Sequence, residues 1–192
     1  MKLFLSSRRR GCTLAEKTEI RFGGSGGQGV VLAAQVLGKA AVLDGRNVLQ
    51  TQAYGAEARG SLTKSEVIIS EGSIGFPAVR QSDILVTMSQ EATNELLKDV
   101  RKTGILLVDS SSVREVPPTS ARVLRFPVTD TAKRLFGDGL YANMVMLGVL
   151  LQVTGLVAGE SVEEAIRQST ARKNAETNVR AFREGLRLER AQ

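Results

Sequence analysis

The sequence predicts an α/β fold: a three-layer α/β/α sandwich around a mostly parallel, mixed sheet. Three observations carry this expectation. Short apolar runs alternate with segments of helical periodicity along most of the chain, the βα rhythm of a wound sheet. Glycines crowd the junction between the first apolar run and the first helical segment, which reads Gly-Gly-Ser-Gly-Gly-Gln-Gly over residues 23–29. Two strand-like runs, 47–52 and 62–70, follow one another with only a loop between them, so the second is expected to run antiparallel. At 192 residues and 42% hydrophobic the chain suits one well-buried domain, drawn here as 19–190, with 1–18 read as a flexible extension.

Residues 19–23 read as the first strand and 30–43 as its helix, because Val30, Ala33, Ala34, Leu37 and Ala41 recur at helical spacing before Asp44-Gly45 stops the run. A second strand, 47–52, leads into a loop, 53–61, that carries Tyr54, Gly55, Glu57, Arg59 and Gly60. Residues 62–70 alternate around Val67, Ile68 and Ile69 as a third strand, and 72–77 is turn material. A buried strand follows at 83–88, a helix at 90–100 and another buried strand at 105–109. Pro117-Pro118 marks a loop, 122–126 the last strand, and 131–136 a short helix ended by Gly137. Residues 141–151 are almost wholly apolar and about three turns long, which suits a buried helix. Residues 173–188 place Ala175, Val179, Phe182 and Leu186 on one face and charges on the other, as a surface helix does. The stretch 152–172 receives no element on this reading.

Composition removes several function classes. One cysteine, Cys12, and no histidine leave too few ligands for most metal sites or iron–sulfur clusters, and no common nucleophile–base pair. A lone cysteine forms no disulfide within the chain, which fits a reducing compartment, with the cytoplasm as the default. Net charge +6 favours an anionic ligand or an acidic surface, but the basic residues are scattered among 20 acids and aromatics are scarce, which argues against nucleic acid. Arg8, Arg9, Arg10 and Cys12 resemble an export signal only superficially, since Glu16, Lys17 and Glu19 interrupt the apolar stretch such a signal needs. No segment is apolar enough over its length to span a bilayer.

Two constellations remain as candidate sites. Gly24, Gly26 and Gly29 satisfy G-x-G-x-x-G between strand and helix, the setting of a dinucleotide fingerprint. The acid expected at the end of the second strand is replaced by Gln50, Thr51 and Gln52, which counts against NAD and FAD, and no Gly-Lys-Ser or Gly-Lys-Thr completes a Walker motif. Gln28 has two readings: its amide reads a ligand, or it fastens the loop to its own backbone. The glycines, Gly27 included, have a bland reading of their own, close packing of helix on strand without any ligand. The second constellation is the loop with Tyr54 and Arg59; in a parallel-type sheet it and the glycine turn emerge at one edge. Its plain alternative is a solvated loop with an incidental ion pair.

The glycine turn, the loop Gln52-Ala53-Tyr54-Gly55-Ala56-Glu57-Ala58-Arg59-Gly60, the run 65–70 with its following glycines, Asp83-Ile84-Leu85-Val86 with Ser89-Gln90-Glu91-Ala92, Asn143 with Leu147-Gly148, and the segment 178–185 together resemble the gamma subunit of 2-oxoacid:ferredoxin oxidoreductases. The resemblance covers about 19–188 in order. One departure is visible: the family often has a second glycine after Gly60, where this chain has Ser61.

The resemblance implies oxidative decarboxylation of a 2-oxoacid to an acyl-CoA, with thiamine diphosphate and Mg carrying the carbanion chemistry and iron–sulfur clusters passing electrons to ferredoxin. It implies alpha, beta and ferredoxin-like delta subunits as partners and no catalytic or metal-binding residue on this chain, which shows neither cluster cysteines nor a thiamine diphosphate motif. Gly24, Gly26, Gly27, Gln28, Gly29, Tyr54 and Arg59 are then the expected edge toward CoA or a partner subunit. The alternative is a freestanding nucleotide- or flavin-binding Rossmann-like protein using the same turn.

Overall fold

The computed structural model describes residues 17–54 and 62–191, apart from the side chain of Tyr54. The elements follow in the order β1 (Lys17–Ser25), α1 (Val30–Leu43), β2 (Asn47–Tyr54), β3 (Leu62–Ser70), β4 (Ser82–Thr87), α2 (Gln90–Leu96), β5 (Val100–Asp109), β6 (Arg122–Phe126), α3 (Val128–Phe136), α4 (Ala142–Thr154), α5 (Gly159–Ser169) and α6 (Ala175–Gly185). The sheet order is β2-β3-β1-β4-β5-β6. β1, β4, β5 and β6 are parallel, while β3 runs antiparallel to both β1 and β2, so the sheet is mixed as expected.

Alternation along β1 divides the core. Ile20 and Phe22 join Val67, Val86, Leu107 and Phe126 against α1, α3, α4, α5 and α6, while Leu85, Leu106 and Val108 face Ala92, Leu96 and Leu97 on the other side. The sandwich is therefore unequal, with α2 alone among the α-helices on the second face. Where α2 does not reach, that face holds charge. Arg21 is 3% exposed and donates to Glu66 at 2.9 Å, to Asp99 at 2.9 Å and to the Val79 carbonyl at 2.7 Å. Arg21 and Glu66 are cross-strand partners in the β1–β3 ladder, so register brings them together.

Several elements differ in their bounds, β5 starting at Val100 rather than 105, α3 at Val128 rather than 131 and α6 ending at Gly185 rather than 188, and two differences are larger. The helix expected over 90–100 ends at Leu96, continues as one 3-10 turn at Leu97–Asp99, and gives way to β5 at Val100. Asp99 there meets Arg21, a contact from another strand that helical periodicity cannot report. The unassigned stretch contains α5, whose Val162, Ala165 and Ile166 stand at i, i+3, i+4 and are buried. Asp44, read as the stop of α1, also accepts from the Ala158 N–H at 2.7 Å and from the Ser161 hydroxyl, tying the start of α5 to the end of α1. Among the described residues, no helix is long and apolar enough to cross a membrane.

Candidate functional site

The glycine turn and the end of β2 share one edge. Gly24 pairs with Thr63, and Thr63 pairs with Tyr54, so the ends of β1 and β2 lie in one row with the start of β3 between them. Gly55, Glu57, Arg59 and Gly60 lie outside the described residues. β1 runs on to Ser25, which leaves Gly23 and Gly24 in the strand and the turn proper at 26–29.

The glycines divide by what surrounds them. A Cβ on Gly23 would run into Leu96 and Ala92 of α2, and one on Gly24 would meet Gln28 Oε1 at 2.7 Å and Val30 Cγ1 at 2.8 Å. Gly29 sits in the left-handed region at φ 71°, and a Cβ there would collide with the Asn143 side chain. Close packing thus accounts for these three. Gly26 and Gly27 are exposed; Gly27 has φ 96° and open space where its Cβ would be.

Both ends of the Gln28 amide are engaged within the chain. Oε1 accepts from the Ser25 N–H at 2.7 Å and Nε2 donates to the Met88 carbonyl at 2.7 Å, pinning the turn to itself and to the connection between β4 and α2. The fastening use is the one the geometry displays. Asn143, on the first turn of α4, adds a second tie: its Nδ2 donates at 3.1 Å to the Gly29 carbonyl, which also accepts the Ala33 N–H at 3.0 Å. The spacing of residues in the sequence does not reveal that Asn143, Met88 and Thr63 belong to this turn. Gln28→Ala is expected to cost about 1–3 kcal/mol in urea unfolding, because it strands two backbone groups. A loss below about 0.5 kcal/mol would show that water replaces the amide freely.

Electrostatically the turn is open to an anion. α1 begins at Val30 behind Gly29, with no side-chain cap and no acid in its first turn, so the positive end of its dipole is uncompensated. A shallow hollow of about 410 Å³ lies there, lined by Ser25, Gly26, Gly27, Val31, Gln35 and Thr63. Larger hollows of about 700 and 660 Å³ open at the opposite edge around Arg101, whose guanidinium is paired with Glu19 and Asp83. Burial pushes the Glu19 carboxyl up there, but Lys17 and Arg101 outweigh it and hold the group below the ordinary carboxylate value. That arrangement satisfies buried charge and includes none of the candidate site residues of the glycine turn or the Tyr54–Arg59 loop. Among the described residues, no group of three or more Cys, His, Asp and Glu could hold a metal ion.

Comparison with known proteins follows the same architecture. The family model described as pyruvate ferredoxin/flavodoxin oxidoreductase matches residues 19–188. The 2-oxoglutarate synthase subunit KorC of Methanothermobacter marburgensis is 44% identical over 179 residues, 90% of this chain and 96% of that protein. The crystal structure of a keto/oxoacid ferredoxin oxidoreductase gamma subunit from Geobacter sulfurreducens superposes with a TM-score of 0.79 at 40% identity, covering 88% of this chain and 96% of that one. The 2-oxoglutarate:ferredoxin oxidoreductase of Magnetococcus marinus, solved with 2-oxoglutarate, coenzyme A and succinyl-CoA bound, shares the fold at a TM-score of 0.82 and 20% identity, over 90% of this chain and 31% of that one. These likenesses support the oxidoreductase reading and lend none to a freestanding flavin- or nucleotide-binding protein. With a family model over most of its length and a relative of nearly its own size above 40% identity, the chain belongs to the pyruvate ferredoxin/flavodoxin oxidoreductase family, as the gamma-type, non-autonomous subunit of a 2-oxoacid:ferredoxin oxidoreductase.

Proposed function

We propose that this subunit walls the route by which CoA reaches the reacting acyl group, with the exposed Gly26–Gly27 turn and the loop bearing Tyr54 and Arg59 as the wall. The observation that carries this is the uncapped, acid-free N-terminus of α1 behind two exposed glycines, a backbone surface suited to a phosphate. Arg59 adds a guanidinium suited to CoA phosphates. Gly24 and Gly29 shape the turn and Gln28 holds it. Thiamine diphosphate with Mg and the iron–sulfur clusters reside on the alpha, beta and ferredoxin-like delta subunits, as the family resemblance implies, and a single cysteine equips this chain poorly for the clusters. The reading includes a reduced ferredoxin as the product of electron transfer and the cytoplasm as the location. The 2-oxoacid is 2-oxoglutarate, which the name of the KorC relative supports.

Steady-state kinetics of the purified complex test this with 2-oxoglutarate and varied CoA. Gly26→Glu, which places a negative charge on the turn at a residue without positive φ, and Arg59→Ala are each expected to raise the KM for CoA about tenfold with little change in kcat. Unchanged CoA dependence in both variants, with the complex intact, would overturn the CoA wall. Loss of assembly instead would make this edge a subunit contact.

A further inference from the structure

The hollow beside the glycine turn has two unlike ends. At one are the exposed Gly26 and Gly27 and the uncapped N-terminus of α1. The other extends along α1 from Val31 to Gln35, about one turn or 6 Å, and is lined by Val31, Leu32 and Gln35 with Thr63 of β3. Its side chains are aliphatic, hydroxyl and amide, without a charge.

Thr63 is the informative residue. It is 6% exposed and lines the hollow, and among the described residues its hydroxyl has no hydrogen-bond partner. Ser65, two positions on and so on the same face of β3, is satisfied: its hydroxyl donates to the Thr51 carbonyl at 3.0 Å and accepts from the Gln50 amide at 3.2 Å. Buried polar groups are normally bonded, so an unbonded hydroxyl in the wall of a cavity marks a place where a ligand supplies the partner. Gln35 adds an exposed amide able both to donate and to accept.

We propose that Thr63 and Gln35 form the subsite for the amide-bearing pantetheine arm of CoA, an inference that rests on the CoA wall proposed above. A phosphate seated at Gly26 and Gly27 directs a neighbouring uncharged section of CoA into the uncharged end of the same hollow. Two sections qualify, the arm and the adenine. The apolar walls, Val31 and Leu32, come from one helix, so the hollow offers a flat base no opposing surface to clamp it. A flexible chain can lie along one wall and meet Gln35 and Thr63 with its amide and hydroxyl groups. In CoA that chain is bonded directly to the phosphates, a link that a side chain of a neighbouring subunit lacks.

Competition kinetics of the purified complex test this with pantetheine, which has the arm and none of the phosphates. Pantetheine is expected to compete with CoA. Thr63→Val, which keeps the branched shape and removes the hydroxyl, and Gln35→Ala are each expected to raise the KM for CoA and the Ki of pantetheine about fivefold. Thr63→Ser, which keeps the hydroxyl, should leave both within about twofold. Gly26→Glu should raise the KM for CoA alone, because pantetheine presents no charge to the turn. If Gly26→Glu has that effect while Thr63→Val and Gln35→Ala change neither constant, the subsite falls and the CoA wall stands; no effect from any variant sinks both. Pantetheine that does not compete in the parent complex would overturn the subsite. So would a Thr63→Val variant that weakens competition by ADP and not by pantetheine, which would put the adenine in the hollow, or one that fails to assemble, which would make the hydroxyl a subunit contact.

Discussion

Gly185→Ala is expected to lower the unfolding free energy by about 3 kcal/mol, read as a lower urea midpoint at unchanged slope. α4 and α6 cross with Gly148 and Gly185 face to face. A Cβ on Gly185 would stand 2.9 Å from the Gly148 Cα and nearer still to the Val145 carbonyl oxygen; one on Gly148 would stand 2.8 Å from the Gly185 Cα and from the Leu186 nitrogen. These obstacles are backbone, so no side-chain rotamer relieves them and the helices must part. Parting loosens Phe182 of α6, which is fully buried in the core cluster it shares with α4, and dispersion energy falls steeply with even a small gap. Gly148→Ala should cost a similar amount, and the double variant less than the sum, since one separation accommodates both methyl groups. Gly159→Ala, where the added carbon meets nothing within 4 Å, is the control and should change stability by less than about 1 kcal/mol. A loss under about 1 kcal/mol for Gly185→Ala would show that the crossing yields easily.

Glu66→Ala should be as damaging, at about 3 kcal/mol or more, for an electrostatic reason. It removes the carboxylate from a buried guanidinium and leaves Arg21 with Asp99 and the Val79 carbonyl. It also takes the acceptor from the Val79 N–H at 3.3 Å and from Lys64 at 3.1 Å. Replacing both members, as in Arg21→Met with Glu66→Leu, should recover much of the loss, because the buried guanidinium is gone and the charges that lose a partner, Asp99 and Lys64, are 38% and 34% exposed.

The same carboxylate sets a pH dependence. Burial pushes Glu66 up, but Lys64 and Arg21 together outweigh it and hold the group below the ordinary value of 4.5. A carboxyl more acidic in the folded state stabilises fully above its unfolded value, and that contribution is lost as pH falls through the folded one. Stability should therefore be level above about pH 4.5 and decline below it, and Glu66→Gln should flatten that decline. Glu19 shifts in the same direction and keeps part of the slope. An acid limb identical in Glu66→Gln and the parent chain would remove Glu66 from the account.

Most elements of the fold were legible because their signals are local. Val30, Ala33, Ala34, Leu37 and Ala41 locate α1 to the residue, and the run around Val67–Ile69 locates an antiparallel β3. α5 carries the same kind of signal in Val162, Ala165 and Ile166, but three apolar residues in a polar stretch are too few to stand out without the α1 surface they cover. The end of α2 was less legible, since Asp99 is drawn to a guanidinium 78 positions earlier in the chain.

The candidate site divides the same way. The glycine-rich composition of 23–29 and the position of the Tyr54–Arg59 loop after β2 are properties of the linear chain, and so is the family they indicate, because ordered motifs need no third dimension to be recognised. What each residue touches is not such a property. Gln28 could have faced a ligand or its own backbone, and the approach of Met88, in the connection between β4 and α2, settles its hydrogen bonds. Gly29 and Asn143, like Gly148 and Gly185, are distant or unremarkable in the chain until α4 is laid against α1 and α6. Short-range propensity and periodicity act within a few residues and so can be read from order alone; steric contact and buried charge act between segments that only packing brings together.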